Sequence, residues 1–350
     1  MSTRHRQLLL GASCFVLLTL ALAAPARGEV PVNQRAQVDA AVDLGLRFLA
    51  HEQNAEGAWS IAEQRQSPAV TSLAVLAFMA RGHTPGRGEY EQTIDKGIDF
   101  ILAVSERGGG TISGGGQTTM YDHGISTVML TEACGMVDSA RRPRLQRAIA
   151  RSVQIILSAQ GHAKHHPDYQ GGWRYSPDST DSDISSSGWQ LMALRGAANV
   201  GAPVPGRAID AGVAYIRRRA LDSGGFSYVG SQGDSPARTG TGVLALELLG
   251  QHGSKEATAG GQYLLRNPIR QNTGFYYYAV YYCSQAANQL GGPVDEAVNA
   301  TIRSGLLATQ NANTGAWGPT LADDASVSYA TSMAILALTV PYHYLPLYQR

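Results

Sequence analysis

The chain has 350 residues, 28 Lys plus Arg against 27 Asp plus Glu, 44% hydrophobic residues and three cysteines. That length suits one large domain or two ordinary ones. A charged fraction of 16%, with no like-charge run longer than Arg217-Arg218-Arg219, excludes a disordered charged tail and leaves no footprint for nucleic acid. The 40 glycines are about half again the usual share but follow no triplet period, so collagen is excluded and recurrent turns must account for them.

At the N-terminus, Arg4, His5 and Arg6 precede an uncharged stretch from Leu8 to Leu22, followed by Ala23 and Ala24-Pro25-Ala26. This pattern predicts a secretory signal over residues 1–26, cleaved after Ala23 or Ala26, and a secreted or periplasmic protein formed by residues 27–350 as a single domain. An uncleaved anchor is the alternative, because the stretch is near the shortest length that spans a bilayer. No later segment approaches membrane-span length. Cys14 leaves with the signal, and Cys134 and Cys283 are too few for a disulfide framework; placed on opposite sides of the ring of repeats described below, they are too far apart to bridge and are expected as buried free thiols.

From residue 38 onward the sequence repeats with a period of roughly 50 residues, in the range of solenoids and closed arrays. Each repeat opens with an amphipathic helix carrying a small residue three positions before an apolar pair. Gly45 leads Phe48-Leu49, Gly97 leads Phe100-Ile101, Ser152 leads Ile155-Ile156, Gly212 leads Tyr215-Ile216, and Gly260 leads Tyr263-Leu264, while Gly305 directly precedes Leu306-Leu307. In the first helix Val38, Ala41, Val42, Gly45, Phe48 and Leu49 follow i, i+3, i+4, i+7 spacing, which buries one face. A glycine on that face costs helix propensity and is tolerated where another element must approach closely.

A loop with glycine and an aromatic residue comes next: Gly57-Ala58-Trp59, Gly171-Gly172-Trp173, Gly224-Gly225-Phe226, Gly274-Phe275 and Gly315-Ala316-Trp317, with a degenerate Gly108-Gly109-Gly110 in repeat two. Small pairs then open apolar runs at Thr71-Ser72, Ser126-Thr127, Ser187-Gly188, Thr241-Gly242 and Thr331-Ser332, and each is expected to start a second helix. Repeat five differs, its second helix being Tyr-rich from Tyr276 to about Leu290. Six such hairpins predict an all-α protein, an (α/α)6 toroid with the apolar second helices inside. An open superhelix would need polar capping repeats, yet the first and last repeats are as regular as the rest.

Gln53 before Gly57-Ala58-Trp59 and Gln310 before Gly315-Ala316-Trp317 resemble the Gln-to-Trp motif of squalene and hopene cyclases, shared in weaker form with protein prenyltransferase β subunits. Lys96-Gly97-Ile98-Asp99-Phe100-Ile101 is similar to its leading half, and Gln160 precedes Gly171-Gly172-Trp173 across an insertion. The resemblance spans nearly all of the chain after residue 26 and implies the fold far more specifically than an activity.

Unpaired N–H groups at the starts of the inner helices favour anions, so candidate site residues are expected there. Counting back from the small pairs gives Ser67, Asp122, Asp183, Ala237 and Val327, with His123, Arg238, Asp181, Asp323 and Asp324 beside them. Asp181-Ser182-Asp183-Ile184 resembles the Asp-rich acid motif of the cyclases, in which a carboxylic acid protonates an alkene, except that Ile184 stands where the family has its last aspartate. The resemblance makes Asp181 and Asp183 candidate catalysts; helix capping by Asp183 explains the same residue without catalysis. Asp122 and His123 suit a general acid-base pair, or a second cap beside a hydrogen-bonded histidine. Asp323 and Asp324 repeat the acidic theme, or are a solvated loop. Trp189, Tyr277, Tyr278 and Tyr281 suit either an aromatic ligand-binding wall or a packed core.

His162, His165, His166 and Asp168 are metal-ligand types close together, but histidines in a polar loop are ordinarily solvated. The stretch matching the prenyltransferase zinc ligands reads Ser235-Pro236-Ala237-Arg238-Thr239, without Asp or Cys, so no metal and no other cofactor is expected. Hopene cyclases resemble two such helical domains and prenyltransferase β subunits need a helical partner. A single toroid therefore reads first as a binding module for an apolar, isoprenoid, glycan or protein ligand, and second as a cyclase-like enzyme using Asp181 and Asp183.

Overall fold

A computed structural model describes residues 32–61, 65–318 and 326–349. The expected signal segment lies outside the described residues. Among them, twelve α-helices alternate between two concentric layers. The outer layer comprises α1 (Val32–Glu52), α3 (Glu91–Arg107), α5 (Arg142–Gly161), α7 (Gly206–Arg218), α9 (Lys255–Arg266) and α11 (Gly292–Thr309). The inner layer comprises α2 (Pro68–Ala80), α4 (Thr119–Ala133), α6 (Ile184–Asn199), α8 (Pro236–Leu248), α10 (Tyr276–Leu290) and α12 (Val327–Leu338). Composition sorts them: α2 buries every residue except Ala69, whereas α7 buries only the stripe Ala208, Gly212, Val213, Tyr215 and Ile216.

Each inner helix packs on the next, and α12 returns to α2. Across this junction the Gln310 side-chain amide donates to the Ala41 carbonyl at 2.7 Å and Arg303 Nε donates to Gln34 Oε1 at 2.8 Å. The ring is closed. It is the α/α toroid expected from the repeat, not an open superhelix.

The repeated residues act as joints. Gln53 Nε2 donates to the carbonyls of Gly57 and Thr93, both at 2.9 Å, tying its own loop to the next outer helix. Gln160 does the same with Gly171 and Ala208, and Gln310 with Gly315 and Ala41. The indole N–H groups of Trp59, Trp173 and Trp317 donate at 2.8 Å to Leu49, Ile156 and Leu306, closing off carbonyls of the preceding outer helix. Their backbone N–H groups donate to the hydroxyls of Thr71, Ser187 and Thr331. The small pairs therefore sit inside the inner helices rather than at their first residues. In repeat four Thr239 takes this role for Phe226.

Two glycines show why the motif needs them. Gly57 has φ +87°, and a Cβ there would stand 2.5 Å from the Lys96 carbonyl oxygen; a Cβ at Gly45 would stand 2.9 Å from the Trp317 ring. The second contact joins the last repeat to the first.

The two ends of the ring differ. Beyond α12 the chain passes through 3-10 turns at Val340–Tyr342 and Pro346–Tyr348 and lies across the C-terminal ends of the inner helices. There the Leu347 N–H donates to both oxygens of Glu132, at 3.1 and 3.3 Å, Gln289 Nε2 donates to the Tyr348 carbonyl at 2.7 Å, and the Tyr281 and Tyr348 hydroxyls are hydrogen-bonded. Deeper in the ring Trp189 stacks on Tyr281 at 5.5 Å and meets the edge of Tyr282. This half of the ring is solid. Cys134 and Cys283 are buried free thiols, and burial pushes both thiol pKa values up.

Candidate functional site: the open mouth of the ring

At the other end the inner helices begin, and side chains satisfy their first N–H groups. Ser67, Asp183, Ser235 and Ser326 cap α2, α6, α8 and α12, accepting from Val70, Ser186, Arg238 and Tyr329. Asp122 does not precede its helix, because α4 begins at Thr119. Its carboxylate instead reaches the neighbouring helix, accepting from the Ala69 N–H of α2 at 3.1 Å and from the Gly114 N–H at 2.9 Å. Burial pushes its pKa up. His123 turns away from Asp122: Nδ1 accepts from the Ile112 N–H at 3.2 Å and Nε2 lies 3.2 Å from the Ser152 carbonyl. Desolvation lowers its pKa to about 4. Asp122 and His123 thus have separate partners and form no pair with each other.

Between the starts of α6, α8 and α10 opens a cavity of about 990 Å³. Its wall carries the phenols Tyr121, Tyr175, Tyr228, Tyr278 and Tyr329, the guanidiniums of Arg238, Arg266 and Arg270, and Phe275. A neighbouring hollow of about 450 Å³ shares Tyr121 and Tyr329 and reaches Arg65 and Asp122. The Tyr175 and Tyr228 hydroxyls are hydrogen-bonded, the Tyr278 hydroxyl lies 2.7 Å from Thr241 Oγ1, and Arg238 stacks 5.3 Å above the Tyr228 ring. Phe275 is 64% exposed and holds a left-handed backbone, φ 54°, at the start of α10. A bulky side chain in that conformation is strained.

Asp183 lies beneath this wall and does not line the cavity. It is fully buried, caps α6 by accepting from the Ser186 N–H at 2.8 Å, and its second oxygen stands 3.6 Å from Arg174 Nη1. Arg174 Nε stands 3.4 Å from Asp181, and the guanidinium rides 4.4 Å over the Tyr175 ring. Burial raises the Asp183 pKa to about 6, with the cap bonds and Arg174 opposing. Neither Asp183 Oδ2 nor Arg174 Nη1 makes a hydrogen bond, so their contact is purely ionic.

The remaining candidates separate. Arg238 and Tyr278 meet on the cavity wall, whereas Trp189, Tyr277 and Tyr281 are buried in the packing of the inner helices. Asp323 and Asp324 lie outside the described residues. His165 Nδ1 lies 3.3 Å from Thr180 Oγ1 and His166 Nδ1 accepts from the Asp168 N–H, and no metal-binding group of three forms among the described residues. No helix of the described residues is long and apolar enough to cross a membrane.

Sequence reasoning missed Tyr121, Tyr175, Tyr228, Tyr329, Arg266, Arg270 and Phe275. A signal was present for two of them. Tyr175 and Tyr228 stand two residues after the anchors Trp173 and Phe226, as Ile61 stands two after Trp59, and all three line the mouth.

No family model and no curated protein matches the sequence. Solved structures do match. The α-1,6-mannanase GH76A of Salegentibacter sp. HEL1_6, in an inactive variant with two aspartates replaced by asparagine and α-1,6-mannotriose bound, aligns with a TM-score of 0.65 at 11% identity, over 87% of this chain and 99% of its own. The type II terpene cyclase MstE from Scytonema, with geranylgeranyl dihydroxybenzoate bound, aligns with a TM-score of 0.55 at 14% identity, over 89% and 99%. The fold shared with both is the α/α toroid. At these identities the likeness concerns the fold alone.

Proposed function

We propose that this chain is a binding toroid whose open mouth takes a glycan, exported by the segment 1–26. The carrying observation is the cavity wall: phenols, amides and guanidiniums, with no carboxylate among the described residues. Hydrolysis of a glycosidic bond ordinarily needs two carboxyl groups flanking it. Alkene protonation needs a strong acid in a deep, dry pocket, whereas Asp183 is engaged with its own helix and Arg174. The ring beneath the mouth is filled by Trp189, Tyr281 and Tyr282, so a long isoprenoid chain could not run on into the interior. Exposed aromatic faces beside polar groups suit sugar rings. A toroid of the same fold holds mannotriose, which supports the reading.

Calorimetry with a panel of oligosaccharides and with squalene, beside product analysis, tests this proposal. The expected result is saturable sugar binding without turnover. Turnover of either class that disappears in Asp183→Asn would replace it with the carboxylate-enzyme reading.

A further inference from the structure

We infer that the glycan bound at the mouth is acidic, a uronic-acid-bearing sugar whose carboxylate is held by Arg238, Arg266 and Arg270. The inference rests on the binding reading above and adds the ligand's charge. The three guanidiniums line one cavity, yet none of them lies within ion-pairing distance of a carboxylate among the described residues. Elsewhere several arginines held between helices are neutralised, whereas Arg207 and Arg218, on the groove between α5 and α7, make no ion pair among the described residues. Arg81 pairs with Asp39 and Asp43, Arg141 with Asp95, Asp99 and Asp138, Arg144 with Asp99 and Glu106, and Arg174 with Asp181 and Asp183.

Their existing bonds leave capacity to spare. Arg238 donates to the Gly233 carbonyl and Arg266 to the Ser223 carbonyl, while each guanidinium has five N–H donors. The nearby carboxylate of Asp234 is occupied by the Tyr263 and Ser223 hydroxyls and stands off the wall. Collecting like charges around one hollow is unfavourable until an anion enters, and a planar carboxylate matches the guanidinium fork. Phe275, on the same wall, offers an exposed ring on which the sugar body can stack. A neutral glycan would leave the three charges unanswered. An isoprenoid diphosphate would answer them, but its chain would find the filled interior below.

Calorimetry with trigalacturonate and with a neutral trisaccharide of the same length provides the test, with farnesyl diphosphate and inorganic phosphate as further arms. Trigalacturonate is expected to bind at least about tenfold more tightly than the neutral sugar, because each charge-assisted bond adds roughly that factor. That ratio should shrink as salt rises from low to high concentration, and it should approach one in Arg266→Gln/Arg270→Gln. The salt series on the unaltered protein serves if the double variant fails to fold. Equal affinity for the two sugars would overturn the acidic assignment and leave the glycan reading standing. Failure of both sugars would overturn the glycan reading as well. Tighter binding of farnesyl diphosphate, or of phosphate alone, than of trigalacturonate would assign the arginines to a different oxyanion and overturn the sugar.

Discussion

The C-terminal end of the ring buries its polar groups against its own chain, whereas the N-terminal mouth leaves them facing an open hollow. At the closed end Glu132 is spent on the Leu347 N–H and Gln289 on the Tyr348 carbonyl. At the mouth three arginines and an exposed phenylalanine line open space. The same helices supply both ends, so the difference lies in the connecting segments: a tail that crosses one end, and loops that build a rim at the other. One end contributes stability, and the other is free for recognition.

Removing the residues after Leu345 breaks this contrast most severely. Leu347 and Tyr348 are 2% and 5% exposed, and their loss uncovers Tyr281 and the Glu132 carboxyl. Losing two such buried side chains costs about 3–5 kcal/mol, so thermal unfolding should shift down by roughly 10 °C, with new binding of a hydrophobic dye.

The next effect is the pH response of the closed end. Burial raises the Glu132 pKa to about 8, so the folded chain keeps a proton that the unfolded chain releases near the ordinary carboxylate value. Between those two values unfolding releases a proton, and stability falls as pH rises. Glu132→Gln keeps an acceptor for Leu347 and removes the titration, so its stabilisation should grow from pH 5 to pH 8 and reach about 2 kcal/mol in chemical denaturation. His123 acts in the opposite sense. Held neutral down to about pH 4, it makes the fold less stable as pH drops through the range where an unfolded histidine protonates. Denaturation curves across pH should therefore show greatest stability on the acidic side, about pH 5 to 6, and a fall through neutrality toward pH 8 that flattens in Glu132→Gln.

At the mouth the expected stability effect is smaller and, unlike truncation of the tail, stabilising. Phe275→Gly relieves a left-handed backbone at little packing cost, so it should stabilise the fold by about 1 kcal/mol while weakening sugar binding. A variant that loses both stability and binding would show that Phe275 supports structure instead.

The sequence spoke clearly about the ring because each joint repeats. Gln, positive-φ glycine and tryptophan recur in phase because the hairpins of repeats one, three and six meet their neighbours through the same three contacts, those of Gln53, Gly57 and Trp59, of Gln160, Gly171 and Trp173, and of Gln310, Gly315 and Trp317. It spoke less clearly about the mouth, where the repeat ends. Asp183 was legible as a cap on its own helix, but Asp122 serves the neighbouring α2, a relation that only the packing of α2 on α4 creates. Tyr277 and Tyr278 are adjacent in sequence, yet one is buried in the packing and the other reaches the cavity, because α10 presents them to different neighbours. Arg266 ends α9 and Arg270 lies in the loop before α10, in the repeat that departs most from the pattern, so no counterpart elsewhere in the chain marked them.

Hydrogen exchange with and without saturating trigalacturonate tests the central claim most directly, since it locates the ligand on one end of the ring. Slowed exchange in residues 228–238 and 266–278, with residues 340–349 unchanged, is the expected result. Protection of the outer helices or of the C-terminal tail, with the mouth unaffected, would contradict it.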